Sequence, residues 1–446
     1  MTDKDPAANP AAPQPVLDLK DAVALIVGIV IGAGIFKLPA PVAANTGDAG
    51  TMMLAWILGA AISFVGALCY AEIATSHPDA GGEYHFLERA FGGDIARLFA
   101  WARMTVISSG SIAIFAFVFA DYVTPLAPLG AHSSSIYAGL LVLVLTAINL
   151  VGIRAGKTTQ NVLTLILCLG LALVIVSGLV IAPAGSAATP AAPAASSAQG
   201  AFGLAMVFVL LTYGGWNDAA YLSAEIRDGH RNIARSLLLG LAVVATLYIL
   251  VSYAYYIGLG MEALGKSSAP AADLLGRALG GAGAVLICVI VALAAITSAN
   301  ATMLTGARTS YALGRDWPLF GILGRWDAAA GVPRNAMLLQ AAISLALVGL
   351  GTWTRKGFET MVDYTAPVFW LFFFLTGMTL FVFRRWEPHA SRPYRVPFYP
   401  VTPLLFCGVC IYMLFSSLAY TGKGALVGVG VLAVGAVLVI VNRRNA

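Results

Sequence analysis

The chain has 446 residues, of which 59% are hydrophobic and 11% charged, with a formal net charge of +5. A soluble fold carries about a quarter of its residues charged, so the composition excludes one and points to a polytopic membrane protein. Its basic residues form no contiguous patch, which excludes a nucleic-acid-binding surface.

Residues 1–16, "MTDKDPAANPAAPQPV", are rich in Ala and Pro and lack a small-residue cleavage site, so they read as a disordered tail rather than a cleaved leader. Beyond them, a bilayer core of about 30 Å needs roughly 20 apolar residues per helix. Twelve such runs follow, at about 20–44, 51–76, 95–124, 135–152, 158–183, 201–226, 233–259, 281–311, 335–353, 360–383, 401–420 and 424–442. Long apolar runs, and not ten-residue alternating segments, make this an all-α membrane protein with twelve transmembrane helices. With the N-terminus inside, twenty Lys and Arg fall on the cytoplasmic side and five outside, with Lys37 left within a span. This bias predicts a multi-pass protein of the inner (cytoplasmic) membrane with both termini in the cytoplasm.

The first run carries "IVIGAGIFKLPAPV", residues 29–42, where Gly32 and Gly34 flank Ala33 and two prolines follow. A span normally keeps its backbone hydrogen bonds closed, so this stretch predicts a broken helix. Lys37 lies about one turn beyond, where it either meets an acidic group or snorkels outward. Glu72 lies near the inner end of the second run, where it either takes a proton, closes an inner gate on a loop arginine or forms a structural ion pair, and "GGEYHFLERAFGG" after it reads as a short interfacial helix. Arg103, Ser108, Ser109 and Ser111 place polarity along the third span, which must face the bundle interior. The sixth run, "VFVLLTYGGWNDAAYLSAEIRD", has Gly214 and Gly215 at mid-span, followed by Trp216, Asn217, Asp218 and Glu225.

Two interruptions, one in each five-span half, are the arrangement expected of inverted repeats whose broken helices meet at the bilayer midplane. Unwound backbone exposes N–H and C=O groups that hydrocarbon cannot satisfy, and a zwitterion with a carboxylate and an ammonium supplies both kinds of partner. Gly32 and Gly34 open a half-helix whose free N–H groups attract an anion. Asp218, beside the second break, is a candidate for proton coupling; Glu225 is a candidate for proton uptake or closure of an inner gate. The five histidines, at 77, 85, 132, 230 and 389, lie in loops without metal-ligand spacing and read as surface residues. The five cysteines, Cys69, Cys168, Cys288, Cys407 and Cys410, all lie in apolar runs, so neither a metal cluster nor a disulfide-linked partner subunit is expected. No nucleophile, base and metal ligands converge as an intramembrane enzyme requires, and no symmetric ring suggests a channel. No cofactor is implied.

Five segments in order, "GIVIGAGIFKLPAPVAANTG", "LCYAEIATSHPDAGGEYHFLERAFG", "TYGGWNDAAYLSAEIRDGHRNIARSLLLG", "GARTSYALGRDWPLFGILGRWDAAAGVPRNAM" and "RRWEPHASRPYRVPFYPVTPLLF", resemble the amino acid–polyamine–organocation superfamily. The "YGGWN" stretch followed by Glu225 is most similar to the branch of L-type amino acid transporters and their prokaryotic relatives. The resemblance implies a LeuT-like five-plus-five inverted repeat, residues 17–183 and 201–383, with peripheral spans at 401–442, and transport by alternating access. It implies that the substrate carboxylate meets the backbone of Gly32, Ala33 and Gly34, and the ammonium the carbonyls near Val30, Leu211 and Gly214. Trp216 and Asn217 line or support the site, and Ser298 and Thr302 set side-chain selectivity. Leu211 and Thr302 replace aromatic residues that relatives use over the substrate, so a small or medium neutral L-amino acid is expected in preference to a cationic amino acid or polyamine. The fifth run lacks the lysine of many relatives, which leaves sodium or a proton open as the coupling ion. Thr297 and Ser298 offer hydroxyl ligands to sodium, or simply bond neighbouring backbone.

Overall fold

The structure is a computed structural model that describes residues 18–79, 81–151, 157–181, 198–217, 226, 229–327, 331–354, 356–419 and 422–445. The expected tail at residues 1–16 lies outside the described residues, as do Asp218 and Glu225. Among the described residues all regular structure is helical, apart from β-bridge positions at Ile226 and between Asp327 and Val332.

The first run begins as α1 (Leu19–Val30), capped by the Asp18 carboxylate, which accepts from the Asp21 N–H at 2.8 Å. It stops at Val30, and the chain resumes as α2 (Gly34–Lys37) and α3 (Pro39–Thr46), joined through Leu38 in the right-handed helical region. Asp48 caps α4 (Ala49–Ser76) through Thr51, and α5 (Glu83–Phe91) follows. The third span is α6 (Gly93–Ala102), a π-helical segment (Arg103–Ser108) and α7 (Ser109–Val123) in one rod. Next come α8 (Ser133–Val151), α9 (Lys157–Val176), α10 (Ala198–Tyr213), α11 (Gly229–Leu259), α12 (Met261–Lys266) and α13 (Pro270–Asp316). Gly280, at φ 71°, kinks α13, so the eighth span starts there. The chain closes with α14 (Arg334–Thr354), α15 (Gly357–Trp386), α16 (Val401–Ala419) and α17 (Lys423–Asn445).

Among the described residues ten helices, with the α6–α7 rod counted as one, are long and apolar enough to cross a bilayer. The other two expected runs, the first and sixth, begin as helices of 12 and 16 residues, α1 and α10, that end where the glycines were expected to break them. Past these ends the chain packs inward. α1 lies on α11, α3 on α10 and α12, and α2 touches α7, α10 and α13, while α16 and α17 lie against α15. Leu54, Ile57, Leu140, Leu143, Leu165 and Leu169 point outward, as side chains facing hydrocarbon do.

Arginines mark one side of the molecule, at the end of α5 and the end of α15. There the buried Glu72 accepts a bidentate bond from Arg384 (2.8 and 2.6 Å) and one from the Val396 N–H at 2.6 Å. This geometry satisfies a carboxylate that would otherwise be costly to bury.

Candidate functional site

At the first break the backbone turns without closing its ladder. The Ile31 N–H reaches the Val27 carbonyl and the Gly32 N–H the Val30 carbonyl, both at 2.8 Å, and the ladder resumes with Phe36 to Ala33. Between them the N–H groups of Ala33, Gly34 and Ile35 have no partner among the described residues. Gly32 and Gly34 are half-buried, while Val30, Ala33 and Ile35 are buried. A Cβ on Gly32 would lie 3.3 Å from the Ser298 Oγ and 4.0 Å from the Phe115 ring, so α13 and α7 form the facing walls.

At the second break α10 ends at Tyr213. The Gly214 N–H turns back to the Leu211 carbonyl at 3.2 Å, and Gly215 takes φ 104°, a left-handed value open to glycine. A Cβ on Gly215 would lie 3.4 Å from the Ile29 carbonyl oxygen and 3.6 Å from the Val30 Cα, so the two breaks are in direct contact. A second bridge runs through aromatics: Tyr213 packs on Tyr248 with centroids 5.3 Å apart, and the Tyr248 hydroxyl donates to the Val30 carbonyl at 2.8 Å.

The residues singled out in the sequence therefore divide. Gly32, Gly34, Leu211, Gly214, Gly215, Ser298 and Thr302 are all half-buried, and contacts join Gly32 to Ser298 and Gly215 to the first break. The Val30 carbonyl already accepts from the Gly32 N–H and the Tyr248 hydroxyl. Thr297 and Thr302 donate to the carbonyls four residues back, Leu293 at 2.8 Å and Ser298 at 2.9 Å, whereas the Ser298 hydroxyl has no partner among the described residues. Beyond Ser298, towards the arginine-rich side, Ala301, Thr305 and Arg308 form an exposed face of α13 at helical spacing.

Trp216 and Asn217 are buried beneath the second break. Trp216 lies edge-on to Tyr70 at 5.1 Å and to Phe373 at 5.6 Å. The Asn217 amide donates to Glu83 Oε1 at 3.4 Å; the same oxygen accepts from the Tyr70 hydroxyl at 2.6 Å, and Glu83 Oε2 lies 3.4 Å from the Arg103 guanidinium. Glu83 is a residue that sequence reading missed. Its signal was its place, first residue of a short helix after two glycines, in a segment already marked as interfacial. Ser108 and Ser109 are buried in the third span as their polarity required.

Lys37 neither snorkels nor stays alone. Its ammonium donates to Asp121 of α7 at 2.7 Å and to the Ser268 carbonyl at 2.6 Å, and it lies 5.6 Å from the centre of the Phe358 ring. His77, expected on the surface, is instead buried. It stacks on Phe383 at 4.3 Å and meets Glu387 at 3.0 Å, because the turn after α4 packs under α15. Burial lowers the His77 pKa, and the Arg89 guanidinium holds Glu387 down at about 2. Among the described residues no group of three or more His, Cys, Asp or Glu is placed to hold a metal ion.

Residues 17–441 match the amino acid permease family. The chain belongs to that family. This permease is 31% identical over 399 residues to b(0,+)-type amino acid transporter 1 of Mus musculus, covering 88% of this chain and 81% of the relative. The human protein of that name is 30% identical over 409 residues, covering 90% and 82%. Large neutral amino acids transporter small subunit 2 of Mus musculus is 29% identical over 419 residues, covering 92% and 78%. The permease is thus an amino acid transporter of the amino acid–polyamine–organocation superfamily, and not an enzyme.

Proposed function

We propose that this permease moves small or medium neutral L-amino acids by alternating access, as a symporter or an exchanger. The observation that carries this reading is the run of three partnerless N–H groups at Ala33, Gly34 and Ile35, in contact across Gly32 with the free hydroxyl of Ser298. Donors left open in a membrane interior match a carboxylate. The ammonium then lies against the carbonyls at the second break, Gly214 above all, since the Val30 carbonyl is already engaged. Ser298 and Phe115 face Gly32, Leu211 and Thr302 are the further residues assigned to the cargo side chain, and none of the four carries a charge. That favours neutral cargo over a cationic amino acid or polyamine, and a relative named for large neutral amino acids agrees with it.

The twelve-span reading, with two five-span inverted repeats, is supported by the direct contact of the two breaks, where Gly215 lies against Ile29 and Val30. The arginine-rich side is the cytoplasmic one, in the cell's inner membrane, by the charge bias of the loops. The exposed Thr305 and Arg308 face of α13 then lines a water path to the cytoplasm, since lipid would not solvate it. The coupling ion is a proton or sodium, with Ser298 the hydroxyl placed for sodium and Asp218 the acid named for a proton. No disulfide-linked subunit is expected, as all five cysteines lie within α4, α9, α13 and α16.

A thermal-shift series of the purified protein against the common amino acids tests the cargo. Neutral amino acids should raise the melting temperature by mass action, and arginine, lysine and polyamines should not. A response to the cations alone would reverse the assignment. Uptake into proteoliposomes, with sodium and proton gradients imposed separately, identifies the coupling ion.

A further inference from the structure

On the side opposite the arginines, a cleft of about 430 Å³ lies between the end of α7, the start of α8 and the α14–α15 turn. Its lining carries both signs of charge: Asp121 and Glu359 are acidic, Lys356 is basic, and His132 stands among them. Phe117 and Phe358 supply an apolar wall. Phe117 is fixed there, because Gly351 and Gly357 both lie so close that a Cβ on either would collide with its ring.

Asp121 belongs to two structures at once. Its Oδ2 takes the Lys37 ammonium at 2.7 Å, and its Oδ1 accepts from the Ser134 hydroxyl at 3.1 Å. The side chain of Lys37 is 8% exposed and that of Asp121 20%, so the carboxylate is the member of the pair that reaches the cleft. A carboxylate has about four acceptor positions, so Asp121 can take a further donor from a molecule in the cleft. Lys37 lies on α2, directly after the first break, while Asp121 lies on α7. A second ammonium on that carboxylate would share its charge with the Lys37 ammonium and repel it, which would weaken the tie between the broken helix and the third span.

We infer that this cleft is a receiving site for a zwitterionic amino acid on the face opposite the arginines. The ammonium is taken by Asp121 and Glu359, and the carboxylate by Lys356. The inference rests on the amino acid cargo proposed above and adds a second place for it. The volume suits a single amino acid, and opposite charges on one lining suit a molecule that carries both. By competing with Lys37 for Asp121, the arriving ammonium loosens α2 from α7 and favours opening on that side.

Lys356 and Glu359 are exposed, so Lys356→Gln and Glu359→Gln leave the fold intact. In proteoliposomes with this face exposed to the substrate, each single variant should raise the KM for a neutral amino acid by roughly fivefold, with kcat unchanged. The effect should shrink at high salt, and in homo-exchange the half-saturating concentration at the other face should not move. General steering by surface charge would shift KM in opposite directions in the two variants; that result, or an unchanged KM in both, overturns the site. An absence of amino acid uptake by the wild-type protein overturns the transport reading instead, and this inference with it.

Discussion

The two breaks use the same device, a glycine-rich interruption of an apolar helix, to opposite ends. The first leaves donors: the N–H groups of Ala33, Gly34 and Ile35 have no partner among the described residues, while one of its acceptors, the Val30 carbonyl, is closed by Tyr248. The second is braced. Gly215 lies on the backbone of the first break, and below it Trp216 and Asn217 rest on Tyr70, Phe373 and the Glu83 carboxylate. An open peptide group inside a membrane is unfavourable by several kcal/mol when nothing satisfies it. On the proposed function, the missing partners are where cargo completes the fold, and the braced region is what holds that place in shape.

The comparison breaks most readily at Glu83. Glu83→Ala strips Arg103, Tyr70 and Asn217 of a shared acceptor, and about 3 kcal/mol of stability should go with it. It should appear as a large fall in melting temperature in detergent. A variant that melts with the wild type would show that the second break does not depend on this brace. Next in size is Gly34→Val. A Cβ there would meet only the flexible end of Leu38, at 3.3 Å, so the protein should fold. The branched side chain also covers the free N–H groups, so amino acid affinity should fall more than about 100-fold. Normal uptake by the folded variant would remove the first break from the site.

Tyr248→Phe sharpens the contrast from within the first break. Loss of the hydroxyl bond to Val30 should lower stability by about 1 kcal/mol. If cargo takes its acceptors from the second break, affinity should change less than about threefold. A tenfold or larger gain in affinity would mean that the freed Val30 carbonyl joins the site.

Much of this was legible along the chain because it is local. Twenty apolar residues in a row announce a span wherever they lie, and Gly32, Gly34, Gly214 and Gly215 announce breaks by themselves. What escaped reading depends on partners brought close by folding. Tyr248 lies 218 residues from the Val30 carbonyl it closes, and Asp121 lies 84 from Lys37. Glu83 looked like a charge on an interfacial helix because its partners Tyr70, Arg103 and Asn217 come from three other segments. His77 looked exposed because the turn after α4 is polar in sequence, and only its packing under Phe383 and Glu387 buries it. Even the π-helical turn Arg103–Ser108 has no sequence mark of its own; its carbonyls are met by groups elsewhere, such as Tyr364, whose hydroxyl reaches the Thr105 carbonyl at 3.0 Å.

The smallest expected effect concerns acid stability on the arginine-rich side, which separates this bracing from the breaks themselves. Arg89, bonded to Glu387 at 2.7 Å, holds that carboxyl at about 2 in the folded protein, below its ordinary 4.5. The unfolded chain thus binds the proton first, so this pair stabilises fully above pH 4.5 and its contribution fades as pH falls towards 2. Burial lowers the pKa of His77 from 6.5, so the folded state resists protonation that the unfolded chain accepts, and stability already begins to fall below pH 6.5. Glu387→Gln should flatten the lower part of the melting profile, between pH 4.5 and 2, while amino acid affinity at neutral pH stays unchanged. A fall in affinity with that substitution would show that the packing under α15 is coupled to the breaks and does not merely support the end of the bundle.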